Sequence, residues 1–290
     1  DIDNLKLYSI TYKDSCFYDM GKVEELKERL YDDLFHISNG VVILSTCNRF
    51  EIYIDSYNDD ILEEEINKNM GIYSRFLHKY FGLDSAAHLF RVSAGLESSI
   101  LGETEILSQV KDAWEEAKKL GYTSKLLDSV FHQSIIVGKR VRSETDISKG
   151  VLGFPQASVE LASKLLGTLN NKEIAIIGAG NAAKIMIDHL CSKYKPEKIT
   201  IANRTLEKAK MIINDKCNFE LNTLNEVVSK KFDAVLIAIK GGPFDYLKGL
   251  LDKNDVVIDI STPNAITGDK VYSIESVDKL VKENFNHRLD

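Results

Sequence analysis

No stretch of about 18 consecutive apolar residues occurs in these 290 residues, so no segment is long and apolar enough to cross a bilayer as a helix. Nor does a basic stretch followed by an apolar one stand at the start. Cysteine is scarce and scattered. Cys16, Cys47, Cys191 and Cys217 form no C-x-x-C pair, which speaks against a zinc ribbon or other metal site and against a secreted disulfide framework. The expectation is a reducing cytoplasm, where a single thiol can serve as a nucleophile. Positive charge is also short: 37 Lys and Arg face 44 Asp and Glu, for a net charge of −7 and a pI near 5.5. A general nucleic-acid binder needs the opposite balance, so any RNA contact must be local. Lys139, Arg140 and Arg142, with Lys149 nearby, are the best local candidates, and a solvated helix face explains them equally well.

What is present is an ordinary globular composition, 44% apolar and 28% charged, in a length that suits two domains. The first half reads as mixed α/β. Residues 5–12 and 50–55 alternate like strands, 41–46 is a short apolar run, and 23–34 and the stretch from Asp59 toward Tyr80 carry helical spacing. Residues 98–142 read as two helices broken near Gly121. Their apolar stripes are Leu107, Val110, Trp114 and Ala117, then Leu127, Val130, Phe131 and Ser134. A breaker-rich joint at 150–155 precedes a helix over 155–166, closed by Gly167. The second half alternates apolar strands (173–177, 198–202, 234–239, 256–260) with helical patterns, the signature of a parallel sheet covered on both faces.

Directly after the strand at 173–177 comes Gly178-Ala179-Gly180-Asn181-Ala182-Ala183, a G-x-G-x-x-G/A loop opening a helix. The first glycine permits the tight turn, the second lets backbone approach a pyrophosphate, and small Ala183 lets helix and sheet pack closely. The next strand ends in Asn203-Arg204-Thr205. An arginine where an NAD site carries an acid suits a 2′-phosphate, which predicts NADPH. A Rossmann-type domain that has lost its nucleotide is the alternative.

The second constellation is Ser45-Thr46-Cys47-Asn48-Arg49-Phe50-Glu51, where a buried strand ends and another begins. Catalytic residues concentrate on such loops. A guanidinium two residues from a thiol favours the reactive thiolate, or else clamps a substrate carboxylate. The polar residues that follow favour function over inert packing.

The Ser45–Tyr53 run resembles the nucleophile motif of glutamyl-tRNA reductases. Two further blocks, His88–Glu103 continuing through Ile106, Leu107 and Gln109–Lys111, and Gly138–Thr145, resemble the same family, as do the nucleotide loop, Asn203-Arg204-Thr205 and Asp259–Pro263. The resemblance covers roughly residues 5–280. It implies an N-terminal mixed α/β catalytic domain that recognises glutamyl-tRNA (1–150), a linking segment and helix (151–170) and a Rossmann-type NADP-binding domain (171–275). It also implies a chemistry. Cys47 attacks the ester of glutamyl-tRNA, and hydride from NADPH reduces the thioester to glutamate-1-semialdehyde, the precursor of 5-aminolevulinate and tetrapyrroles. By position, His88 is a proton-transfer or orienting group. Thr46, Asn48, Arg49, Ser98, Glu103, Thr104, Glu105 and Gln109 contact the substrate, with Arg49 on its side-chain carboxylate. Glu103 has a separate reading from the residues: on the Leu107–Trp114 stripe it either needs a partner such as the substrate α-ammonium or lies at the stripe's edge and reaches water.

The sequence also departs from the family. Glu103-Thr104-Glu105 stands where Glu-Pro-Gln is usual, and Gly153-Phe154-Pro155 replaces a Ser-Val-Ser type run. Family members continue past a segment like 272–280 into a helical dimerisation domain. Residues 276–290 read as its start, so the expectation for this polypeptide is a monomer or weak dimer. The downstream glutamate-1-semialdehyde aminomutase is a further implied partner. Two competing readings are a non-catalytic homologue binding tRNA or a pathway protein, and a small-molecule reductase, since the second half also resembles shikimate dehydrogenases.

Overall fold

The computed structural model describes residues 1–14 and 17–289, with side chains over 1–14 and 20–283, so Cys16 lies outside the described residues. The chain forms two compact units, Asp1–Val151 and Leu152–Asp290.

The first unit runs β1 (Leu5–Thr11), α1 (Phe17–Glu24), α2 (Lys27–Phe35), β2 (Gly40–Ser45), β3 (Arg49–Asp55), α3 (Asp59–Met70), β4 (His78–Phe81), α4 (Leu83–Ser93), α5 (Glu105–Leu120) and α6 (Lys125–Glu144). Its antiparallel sheet has the order β2-β3-β1-β4, with Ser45 opposite Phe50 and Thr11 opposite Arg49. The alternation read at 50–55 implies one wet face, yet every residue of β3 is buried. β3 is a central strand, and a central strand covered on both faces loses its polar side.

Three other expectations change. The stretch from Asp59 is helical only as far as Met70. Asn58 caps it, accepting from the Ile61 amide at 3.3 Å, and Gly71 ends it at φ +54°. The short polar strand β4 then pairs with β1, His78 opposite Ser9. Residues 98–104, read as the start of a helix, belong to a connection over 94–104, so Glu103 precedes α5 and is not on its stripe. That stripe is otherwise as read: Val110 and Ala117 are fully buried, and Leu107 and Trp114 pack at its edge.

The second unit runs α7 (Phe154–Leu166), β5 (Glu173–Ile177), α8 (Asn181–Lys193), β6 (Lys198–Ala202), α9 (Leu206–Lys210), β7 (Phe219–Asn222), α10 (Leu224–Val228), β8 (Ala234–Ile237), α11 (Gly249–Lys253), β9 (Val257–Asp259), β10 (Val271–Ser273) and α12 (Ile274–Leu289). Its six strands are all parallel in the order β10-β9-β8-β5-β6-β7. The winding reverses between β8 and β5, and in such sheets ligands bind at the carboxyl ends of the strands beside that reversal. Contrary to the expectation of unpaired thiols, Cys191 on α8 and Cys217 ahead of β7 form a disulfide, with Cα atoms 6.0 Å apart. Their separation of 26 residues gave no sign of it, because pairing across a crossover leaves no local spacing pattern. Among the described residues, no helix is long and apolar enough to cross a membrane.

Candidate active site

The turn joining β2 to β3 holds Cys47 at its tip. Thr46 shapes it: its hydroxyl accepts the Asn48 amide at 3.1 Å and the Arg49 amide at 3.3 Å, and its own amide donates to Arg49 O at 2.9 Å. Side chains that bind backbone in this way fix tight turns. Thr46 therefore presents Cys47 by holding the turn beneath it.

The connection 94–104 is tied to this turn in front and clasped from behind. In front, Ser99 Oγ donates to Asn48 Oδ1 at 3.0 Å, and an Arg49 Nη donates to Glu97 O at 2.5 Å. Behind, Arg142 near the end of α6 donates to Glu103 O at 2.7 Å, to Gly138 O at 3.0 Å and to Ser93 O. Ser148 Oγ adds a bond to Gly102 O at 2.7 Å. Arg142 thus faces inward, away from the basic patch read from sequence. In that patch Arg140 pairs with Glu144 at 3.0 Å, and Lys139 is exposed.

Ser98, Glu103 and Glu105 are carried by this connection and the first turn of α5. Ser98 is 8% exposed and its Oγ makes no well-formed bond, although it lies near enough to Glu103 to lower that acid's pKa. Burial raises the Glu103 carboxyl overall, against the lowering influence of Ser98, Arg49, Arg142 and Asn48. Burial and the charge of Glu103 push Glu105 up to about 8, and its Oε1 has no partner. Cys47 is half-buried. Its thiol is pushed well above the ordinary range, first by burial and then by Glu103 and Glu105, and the opposing pull of Arg49 is smaller. The expectation that Arg49 keeps a ready thiolate is corrected: two carboxyls and burial outweigh one guanidinium.

Arg49 itself is fully buried. Its guanidinium donates to Glu51 Oε1 at 3.0 Å, and Nε has no partner. Glu51 is the hub of this layer, a residue quoted in the cysteine run from sequence but given no role there. Its Oε1 also accepts from Ser9 Oγ at 3.2 Å and meets His88 Nε2 at 2.7 Å, while Oε2 accepts from Tyr53 Oη at 2.6 Å. Burial works against this carboxylate, but Arg49, His88 and Tyr53 overcome it and hold the pKa near 2. His88, 3% exposed on α4, lies against Tyr80 with ring centroids 4.8 Å apart, and its Nδ1 has no partner. The signal for Glu51 was a glutamate two residues before Tyr53 on the same face of a strand that proved central.

The structure therefore gathers Thr46, Cys47, Asn48, Arg49, Ser98, Glu103 and Glu105, with His88 joined to them through Glu51. Thr104 is exposed and Gln109 half-buried, and among the described residues neither hydrogen-bonds to this cluster. In the second unit, Gly178 at φ +124° ends β5, where an added Cβ would meet Ala238 O at 2.2 Å, so only glycine fits. A Cβ on Gly180 would meet nothing within 4 Å, leaving open space at the N-terminus of α8, and Ala183 is fully buried as the close-packing role requires. Asn203 Nδ2 donates to Thr205 O at 2.9 Å and shapes the turn that exposes Arg204. A glycine cradle, an open helix N-terminus and an exposed arginine after β6 fit a phosphorylated dinucleotide.

Residues 8–145 match the model of the glutamyl-tRNA(Glu) reductase N-terminal domain, and residues 160–281 that of shikimate/quinate 5-dehydrogenase. The chain is 34% identical over 300 aligned positions to glutamyl-tRNA reductase of Aeropyrum pernix, covering 99% of this chain and 71% of that protein. The chain belongs to the glutamyl-tRNA reductase family. The solved glutamyl-tRNA reductase from Methanopyrus kandleri is 30% identical with a TM-score of 0.52, over 99% of this chain and 75% of that one. The reductase of Methanosarcina acetivorans is 34% identical over 89% of this chain, which spans 59% of that longer protein. Membership makes the chain an oxidoreductase with a glutamyl-tRNA reductase catalytic domain followed by a nucleotide-binding domain of the shikimate dehydrogenase type.

Proposed function

We propose that this protein reduces the glutamyl ester of tRNA to glutamate-1-semialdehyde, with Cys47 as the acyl acceptor and NADPH as the hydride donor, and so supplies tetrapyrrole synthesis. The observation that carries the reading is Cys47 at the tip of a side-chain-braced turn beside Ser98, Glu103 and Glu105.

The charges at the site supply an activation step. Without substrate, two buried carboxyls and desolvation hold the thiol neutral. A substrate α-ammonium entering beside Glu103 and Glu105 brings a positive charge of its own, which lowers the thiol pKa when an acyl group is at hand. The thiolate sulfur then bonds to the acyl carbon and the 3′-oxygen of the ribose departs, taking a proton. His88, anchored on Glu51 through Nε2 and with Nδ1 unpartnered, is the proton-transfer or orienting group of this reading. Arg49 braces the floor through Glu51 and Glu97 O, a structural duty besides the carboxylate contact read from sequence. When bound, NADPH would supply hydride to the thioester carbonyl, a far better acceptor than a carboxylate, and the C–S bond would then break to free the aldehyde and return the Cys47 thiolate. Gly178, Gly180 and Arg204 would hold that cofactor.

The test is NADPH oxidation with glutamyl-tRNA, comparing the native chain with Cys47→Ser. Turnover by the native chain and none by the variant supports the reading; equal turnover by both refutes the thioester.

A further inference from the structure

Arg204 follows β6 and Phe244 follows β8, the two strands that flank β5 in the sheet. Their side chains nevertheless meet, with the guanidinium carbon 4.7 Å from the Phe244 ring centroid. The contact therefore passes over the carboxyl end of β5, beside the reversal of winding and the Gly178 turn. One side of it is fixed. Phe244 is half-buried, its amide donates to Ala265 O at 2.8 Å, and its ring lies so close to Gly241 that a Cβ there would be 3.3 Å from Cζ. The other side is free to move. Arg204 is exposed and has no carboxylate partner among the described residues.

We propose that Phe244 and Arg204 are the two jaws of a clasp for the adenine end of the dinucleotide, with Phe244 the stacking platform and Arg204 the jaw that also grips the 2′-phosphate. The inference rests on the cofactor reading above and adds Phe244, a residue that no sequence motif marks. An aromatic face and a guanidinium plane both stack on a purine, and the guanidinium fork suits a phosphate. Admitting a base between them needs planes roughly 7 Å apart, two contact distances of about 3.5 Å. The exposed Arg204 swings outward to make that room while the anchored Phe244 stays. The clasp closes on itself when no base is bound, so the apolar ring stays covered.

The test is isothermal titration of the full chain with adenosine 2′,5′-bisphosphate and with adenosine 5′-monophosphate. Phe244→Ala and Phe244→Leu are expected to weaken both ligands by about tenfold, the loss of one base stack, and Phe244→Tyr to bind as the native chain does. Arg204→Ala is expected to erase most of the preference for the bisphosphate. Native-like affinity of Phe244→Leu for both ligands overturns the clasp while leaving the cofactor reading intact. A preference for the bisphosphate that survives Arg204→Ala also overturns it. If the native chain binds neither ligand, the clasp falls together with the cofactor reading.

Discussion

Replacing Glu51 by glutamine removes the carboxylate that compensates a fully buried guanidinium. Glu51 takes contacts from Ser9, Arg49, Tyr53 and His88, and its pKa is held near 2 against an ordinary 4.5. Held that far below its ordinary value, the carboxylate contributes roughly 3–4 kcal/mol at about 1.4 kcal/mol per pKa unit. The folded pKa is the lower one, so this stability is fully present above pH 4.5 and is lost as pH falls toward 2. Glu51→Gln is expected to lose about 3–5 kcal/mol at pH 7, because truncating one partner leaves a buried charge uncompensated. Over the acid window the gap between native chain and variant should close. Urea unfolding followed by the fluorescence of Trp114 reads this directly. It is the single tryptophan, it lies in the Asp1–Val151 unit, and its indole is bonded to Asp128 at 2.7 Å. A gap that stays constant between pH 4.5 and 2, or no loss at pH 7, would refute the hub.

Three more predictions concern the same unit. Glu105 has a raised pKa, about 8, so its ionised form is penalised in the folded state, and the penalty is absent below pH 4.5 and grows as pH rises through 8. Glu105→Gln should therefore match the native chain near pH 4.5 and exceed it by a few kcal/mol near pH 9, at about 1.4 kcal/mol per unit; equal urea midpoints at pH 9 would contradict this. Alkylation of substrate-free Cys47 by iodoacetamide at pH 7.5 should run at least about tenfold slower than that of a free cysteine and speed up in Glu103→Gln; native labelling at the free-thiol rate speaks against the charge argument. Arg142→Ala removes three carbonyl contacts, so it should destabilise the unit by about 2 kcal/mol or more and raise KM for glutamyl-tRNA, with Arg142→Lys recovering part of both. An unchanged KM would mean that Arg142 does not position the 94–104 connection.

The parallel sheet was legible because buried strands write themselves as apolar runs, and its glycine turn because only glycine fits Gly178. The cysteine turn was legible as a polar insert between two strands. What sequence could not show is depth. Glu51 sits in an alternating strand that reads as half-wet, and only the strand's central place in the sheet reveals a buried hub. The Arg49 guanidinium, two residues from the thiol, reads as its activator, but its donors go to Glu51 and Glu97, and burial, with residues 56 and 58 positions further along, outweighs it at the thiol. Arg142 reads as part of a basic surface, yet it points inward. The meeting of Arg204 with Phe244 depends on strand order, which no local pattern encodes.

Intact-protein mass spectrometry after mixing the chain with glutamyl-tRNA, with NADPH withheld, tests the central claim most directly. One glutamyl group should be found on Cys47, absent from Cys47→Ser and discharged when NADPH is added. Sustained reduction of glutamyl-tRNA with no acyl group ever on Cys47, or with the group on another residue, would contradict the account.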